Sequence, residues 1–198
     1  MQNERKLNHY YNVGGFNATK RIGYIMSLIK KCNPITLEEW KVWYFEHVRS
    51  EEYLKDLAKE MYYFIPPQEG ISYKECLDYI YDVMFRRTFE GYNKENQALQ
   101  LLRKQISPDI KKAPKDWDTN YFIDFYFVAG NSRLIGIQLK PDTFFRGKYY
   151  DKVDIEGKIQ KFCDDFQAFA YILQYSPSSK NSIVFSNPKT LLKIQALA

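Results

Sequence analysis

The sequence predicts an α/β (α+β) protein in which a helical N-terminal half precedes a mixed β-sheet flanked by helices. Three observations predict it. Apolar residues recur at helical spacing through most of the first hundred positions. Near Tyr121 the pattern changes to aromatic and β-branched runs of strand length. Amphipathic helical stretches, at about residues 93–106 and 155–174, lie on either side of the first two runs. The natural division is a helical region over residues 1–90 and a core over residues 91–198, within one integrated domain or as two.

The elements follow in order. Residues 1–34 are polar and glycine-containing, with a short apolar piece at 22–29. Thr36 and Glu39 form a capping-box pattern, after which Leu37, Trp40, Tyr44 and Val48 repeat at helical spacing. Residues 51–64 continue helical and stop before Pro66-Pro67. Ser72 with Glu75 is a second capping box, opening a helix whose stripe includes Cys76, Ile80, Val83 and Met84. The helix at 93–106 ends before Pro108.

Residues 121–128 then read as a buried strand, residues 129–132 as a turn and residues 134–140 as a second strand. A basic aromatic loop follows at 144–150. Ile155, Ile159, Phe162, Phe166, Phe169 and Leu173 mark a long amphipathic helix. Residues 182–185 form a last strand, and Pro188 suits the first turn of a terminal helix.

Composition narrows the function. The formal net charge is +5, and the sequence pI near 8.9 favours polyanionic partners. Three widely spaced cysteines with no CxxC argue against a disulfide framework or zinc ribbon and fit a reducing cytoplasm. The two histidines are too few for a His-rich metal centre. The first residues lack the apolar stretch of a signal peptide, and no segment has the length and apolarity of a membrane span. No P-loop or dinucleotide-binding glycine pattern occurs.

One constellation carries chemistry. In a hairpin turning at Gly130-Asn131, Asp124 lies close to opposite Gln138, and alternation puts Gln138 and Lys140 on one face. An acid within an apolar run is costly to bury without a compensating cation or hydrogen bonds. A carboxylate, an amide oxygen and a lysine are what metal-assisted phosphodiester hydrolysis needs. Glu95 extends the apolar stripe of Leu99, Leu102 and Ile106, so it can point towards the hairpin. For Gln138 and Lys140 the alternative is the outward polar face of an edge hairpin. For Glu95 it is a first-turn acid favoured by the helix dipole.

The order helix, hairpin, helix, strand resembles the PD-(D/E)XK nuclease superfamily over roughly residues 90–187. Residues 87–92 (Arg-Thr-Phe-Glu-Gly-Tyr) and 136–141 (Gly-Ile-Gln-Leu-Lys-Pro) look like the MjaI-type restriction endonucleases. The resemblance implies a restriction-endonuclease-like core and a type II enzyme that cleaves double-stranded DNA at the palindrome CTAG. It also implies Mg²⁺ as cofactor with Mn²⁺ as a substitute, a homodimer matching the palindrome, and a cognate DNA methyltransferase. Carried onto this sequence, the catalytic set is Asp124, Gln138, Lys140 and Glu95, with Asp124, Gln138, Leu139 and Glu95 on the metal side.

Two departures stand out. Gln138 replaces the commoner acid, and a neutral amide holds metal more weakly. Ile123 precedes Asp124 where the family has Pro; the actual Pro108-Asp109 lies in a predicted loop, leaving Asp109 and Asp118 as alternative ligands. Similar tripeptides at residues 4–6, 39–41, 109–111 and 156–158 lack a place in such a hairpin. Arg146 and Lys148 of the basic loop are candidates for phosphate contact. Asn12, Asn17, Lys20 and Arg21 have side chains able to read base edges. The rivals are a repair or junction-resolving nuclease of the same core and a non-catalytic DNA-binding protein on a decayed one.

Overall fold

The computed structural model describes residues 3–146, 152–179 and 182–198. The chain forms two compact units, Met1–Asn93 and Lys94–Ala198.

The first unit is helical: α1 (Glu4–Val13), α2 (Thr19–Ile22), α3 (Ile25–Cys32), α4 (Leu37–His47), α5 (Glu51–Phe64), α6 (Tyr73–Tyr81) and the start of α7 (Thr88–Gln105). Local sequence sets several starts. The Thr36 hydroxyl accepts the Glu39 N–H at 3.2 Å, and Ser72 and Glu75 complete the full reciprocal box. Leu7, Trp40, Tyr44, Leu54, Met61 and Tyr79 are fully or almost fully buried in its core. The polar atoms of two core rings are satisfied: Trp40 Nε1 donates to the Met84 carbonyl at 3.1 Å and Tyr44 Oη to that of Ile22 at 3.0 Å. A π-helical turn, Asp82–Arg87, joins α6 to α7. Its wide pitch matches the ion pairing there, where Asp82 accepts from Arg86 and, five residues on, from Arg87.

The second unit is a five-stranded sheet in the order β1 (Lys111–Lys112), β2 (Phe125–Val128), β3 (Leu134–Pro141), β4 (Phe169–Ser179) and β5 (Ser182–Phe185). The β3–β4 pair is parallel and the other neighbours are antiparallel, so the sheet is mixed, as expected. Helix α9 (Lys152–Phe166) is the crossover between the parallel strands. One face packs Phe125, Phe127, Ile135, Ile137 and Leu173 with Ala98 and Leu102 of α7 and Ile194 of α10 (Pro188–Gln195). The other face packs Ile123, Phe162 and Ala168 with Trp117 and Tyr121 of α8 (Lys115–Tyr121). Residues 135–138 of β3 are all buried, as befits a strand covered on both faces.

Two expectations are corrected. The strand predicted over 121–128 begins only at Phe125, because Tyr121 closes α8 and Phe122 turns left-handed at φ 56°. Tyr121 stays helical because its ring joins an aromatic cluster with Phe162 and Phe166, to which Trp117 also belongs. The helix predicted over 155–174 ends at Phe166, where Gln167 takes φ 51°, and Phe169 and Leu173 belong to β4. Their spacing satisfies a helical stripe. Yet the intervening Tyr171 and Ile172 favour a strand, and pairing satisfies the otherwise open edge of β3. Strand β5 and helix α10 lie where the sequence predicts them.

Candidate active site

The hairpin register follows from the turn. Phe125 pairs with Ile137 and Val128 with Leu134, so Asp124, one residue before β2, falls opposite Gln138. The turn is held by the Ala129 N–H on the Arg133 carbonyl (2.8 Å) and by Asn131 Oδ1, which accepts the Arg133 N–H (3.1 Å). The backbone of Asp124 is fixed on both sides: its N–H donates to the Ile137 carbonyl at 3.0 Å and its carbonyl accepts the Ala113 N–H at 2.8 Å.

The side chain of Asp124 is equally constrained. Its Oδ2 accepts the Leu139 N–H at 2.7 Å and a short hydrogen bond from Gln138 Nε2. Gln138 Nε2 also reaches the Leu139 carbonyl at 3.2 Å. Gln138 is only 2% exposed, and its Oε1 has no hydrogen-bond partner among the described residues. A buried amide oxygen without a partner is expensive, and next to a carboxylate it is a ready cation ligand.

Burial pushes the Asp124 carboxyl up to about 7, against the lowering effect of the Leu139 N–H and the Lys140 charge; Asp118 and Glu95 add a further upward push. The charge of Lys140 reaches this carboxylate, and its Nζ lies 5.1 Å from the centre of the Phe144 ring and 5.7 Å from that of Phe122. Asp124, Gln138 and Leu139 therefore converge, and Lys140 acts on them through its charge.

Glu95 acts on Asp124 through its charge, and its carboxylate pairs with Lys112 at 3.5 Å; Lys112 also donates to Asn96 at 2.7 Å. Asp118, in the first turn of α8, acts likewise by charge. Asp109 is exposed in the turn after α7, its N–H on the Ser107 hydroxyl. Among the described residues, no three His, Cys, Asp or Glu side chains gather into a metal-binding group. The Asp124 carboxylate and Gln138 Oε1 are hard oxygen donors on adjacent side chains, although the amide presents Nε2 to the carboxylate here.

The other candidates are more scattered. Asn17 donates to Asn12 Oδ1 at 2.8 Å, and Asn12 donates to the Asn8 carbonyl at 2.7 Å. Arg21 pairs with Glu60 at 2.6 Å and lies over Phe16, while Lys20 is exposed. These four belong to the first unit. The side chain of Arg146 and the whole of Lys148 lie outside the described residues.

Sequence reasoning missed three neighbours of the site. Phe122 carries Lys140 on its ring, and Lys158 of α9 sits 4.0 Å from the centre of the same ring. Tyr175 of β4 is raised by burial and then by the charge of Asp124. The Glu156-Gly157-Lys158 tripeptide was visible, but only the crossing of α9 brings its lysine to the hairpin.

The sequence model of the MjaI restriction endonuclease family matches residues 4–183. No curated protein and no solved structure matches the chain.

Proposed function

Because the chain belongs to the MjaI restriction endonuclease family, and is thus a restriction endonuclease that cleaves DNA, we propose that it is a type II enzyme whose cleavage site is the Asp124–Gln138–Lys140 cluster. One observation carries the assignment: a carboxylate whose charge is resisted by burial lies against a buried amide with an unsatisfied oxygen, within reach of the charge of a lysine. The proposed substrate is double-stranded DNA at the palindrome CTAG, cut by a two-fold homodimer whose symmetry matches the site. A cognate DNA methyltransferase would protect the host sequence. The helical first unit offers surface for the dimer and for DNA contact.

The proposed cofactor is Mg²⁺, with Mn²⁺ as a substitute. Asp124 Oδ and Gln138 Oε1 would hold it, the Leu139 main chain and Glu95 adding to the set. When bound, a divalent cation polarises the phosphoryl group and lowers the pKa of the attacking water. The chain's own groups do the rest. Asp124 must be ionised to serve, and the Leu139 N–H holds its carboxylate in place. Gln138 must turn its amide so that Oε1, rather than Nε2, meets the carboxylate's side of the site. Lys140 orients the water and stabilises the charge that grows on the phosphate. The net reaction is hydrolysis of one P–O bond, water supplying the hydroxyl and the proton.

Incubating plasmid carrying CTAG with the purified protein and Mg²⁺ tests this. Discrete fragments that disappear with EDTA, or when CTAG is methylated or mutated, are the expected result. Tight binding of DNA without cutting would favour the decayed-nuclease alternative, and CTAG-independent cutting of branched or damaged DNA a repair nuclease.

A further inference from the structure

We propose that Lys158 is a second DNA-contacting cation of the cleavage site, taking the phosphate next to the one that is cut. The inference rests on the reading of the Asp124 cluster as that site. Lys158 and Lys140 come from different elements, α9 and β3, yet both ammonium groups face the ring of Phe122, at 4.0 Å and 5.7 Å from its centre. They are therefore about one Debye length apart or less, close enough for their fields to add.

Phe122 lies two residues before Asp124 and adopts φ 56°, where a bulky side chain is strained. Its ring gathers two like charges two residues from the acid, and an entering anion would relieve their repulsion. A DNA strand presents such anions in series, and one lysine beside the reacting phosphate leaves the next for the other. The alternative for Lys158 is a solvated helix-surface ion pair with Asp154, four residues earlier. That pair is long, at 3.9 Å, and both side chains are partly exposed, so it holds the lysine only weakly.

The test compares wild-type protein, Lys158→Ala and Lys158→Arg, with thermal melting to establish that all three fold alike. Binding is measured on a CTAG-centred duplex in Ca²⁺ across a salt series, and cleavage of the same duplex in Mg²⁺. Lys158→Ala should bind about three- to tenfold more weakly at low salt and lose roughly one unit of log–log salt slope, the signature of one lost phosphate contact. Lys158→Arg should recover both. Asp154→Asn, which removes the competing carboxylate, should bind at least as tightly as wild type. An unchanged affinity and slope in Lys158→Ala, in a preparation whose wild type cleaves, overturns this inference and leaves the nuclease reading standing. A wild type that neither cuts nor binds the duplex overturns both.

Discussion

Gln138 donates its side-chain N–H to Asp124 Oδ2 across the hairpin, so the amide occupies the place where a cation would neutralise that carboxylate. The same geometry leaves Gln138 Oε1 buried and, among the described residues, without a partner. On the proposed reading, the amide proton is the occupant without metal, and with metal the amide would rotate to offer its oxygen. Gln138→Glu removes the donor and adds a charge. We predict that this variant melts lower than wild type without metal, since two carboxylates then share one site. Added Mg²⁺ or Mn²⁺ should raise its melting temperature more than that of wild type. An equal response to metal in both proteins, measured by calorimetry or thermal shift, would sink the assignment of Gln138 as a ligand.

Asp124 makes stability and metal binding depend on pH. With its carboxyl raised to about 7 by burial, the folded chain holds a proton that the unfolded chain has released above about pH 4. The stabilising contribution of this group is therefore complete at the acid end and is lost as the pH rises through 7. Asp124→Asn should accordingly melt higher than wild type at about pH 8, with the gap closing towards about pH 5. Divalent cations compete with that proton, so their stabilisation of wild type should fade over the same range. A gap in melting temperature that does not vary with pH would contradict the buried, proton-holding state of Asp124.

On the proposed reading, Lys140 acts on rate and Lys158 on binding. Lys140→Ala should reduce cleavage by on the order of 10²- to 10³-fold, the loss expected when one stabiliser of developing charge is removed. Its duplex affinity in Ca²⁺ should stay within about threefold of wild type, since most phosphate contacts remain. Single-turnover cleavage beside equilibrium binding measures the split. Normal cleavage by Lys140→Ala would remove Lys140 from the site.

The hairpin was legible because its register depends on few residues. Once the turn sits at Gly130-Asn131, alternation alone puts Asp124 opposite Gln138, and a one-residue slip would drive Ile135 or Ile137 into the place of Gly136, where a side chain meets Phe162 and Ile123. Capping at Thr36 and Ser72 was legible for a similar reason, since each donor and acceptor lies within four positions. What escaped depends on tertiary partners. Phe169 and Leu173 satisfy a helical stripe as well as a strand, and only the open edge of β3 decides between them. Tyr121 reads as strand until Phe162 and Phe166 hold it on α8. Lys158 reaches the Phe122 ring through the path of α9, which no local pattern encodes.

Gly136 ties that path to the chemistry. A methyl group there would lie 2.8 Å from Phe162 Cε1 and 3.0 Å from Ile123 Cδ1, distances at which something must move. Phe162 is fully buried among Trp117, Tyr121 and Phe166, so its ring has little room to yield. Ile123 is the residue before Asp124, and Gly136 is two before Gln138, so either displacement reaches the site. Gly136→Ala should cost about 1–3 kcal/mol, as overpacking of a tight core does. For a unit of this size that corresponds to a drop of roughly 4–8 °C in melting temperature per kcal/mol. Cleavage by the fraction that remains folded should fall further than stability alone requires, because the carboxylate and amide no longer meet at the same spacing. A variant with unchanged melting and full activity would show that α9 does not press on the hairpin at Gly136, and would also remove the packing that brings Lys158 to Phe122.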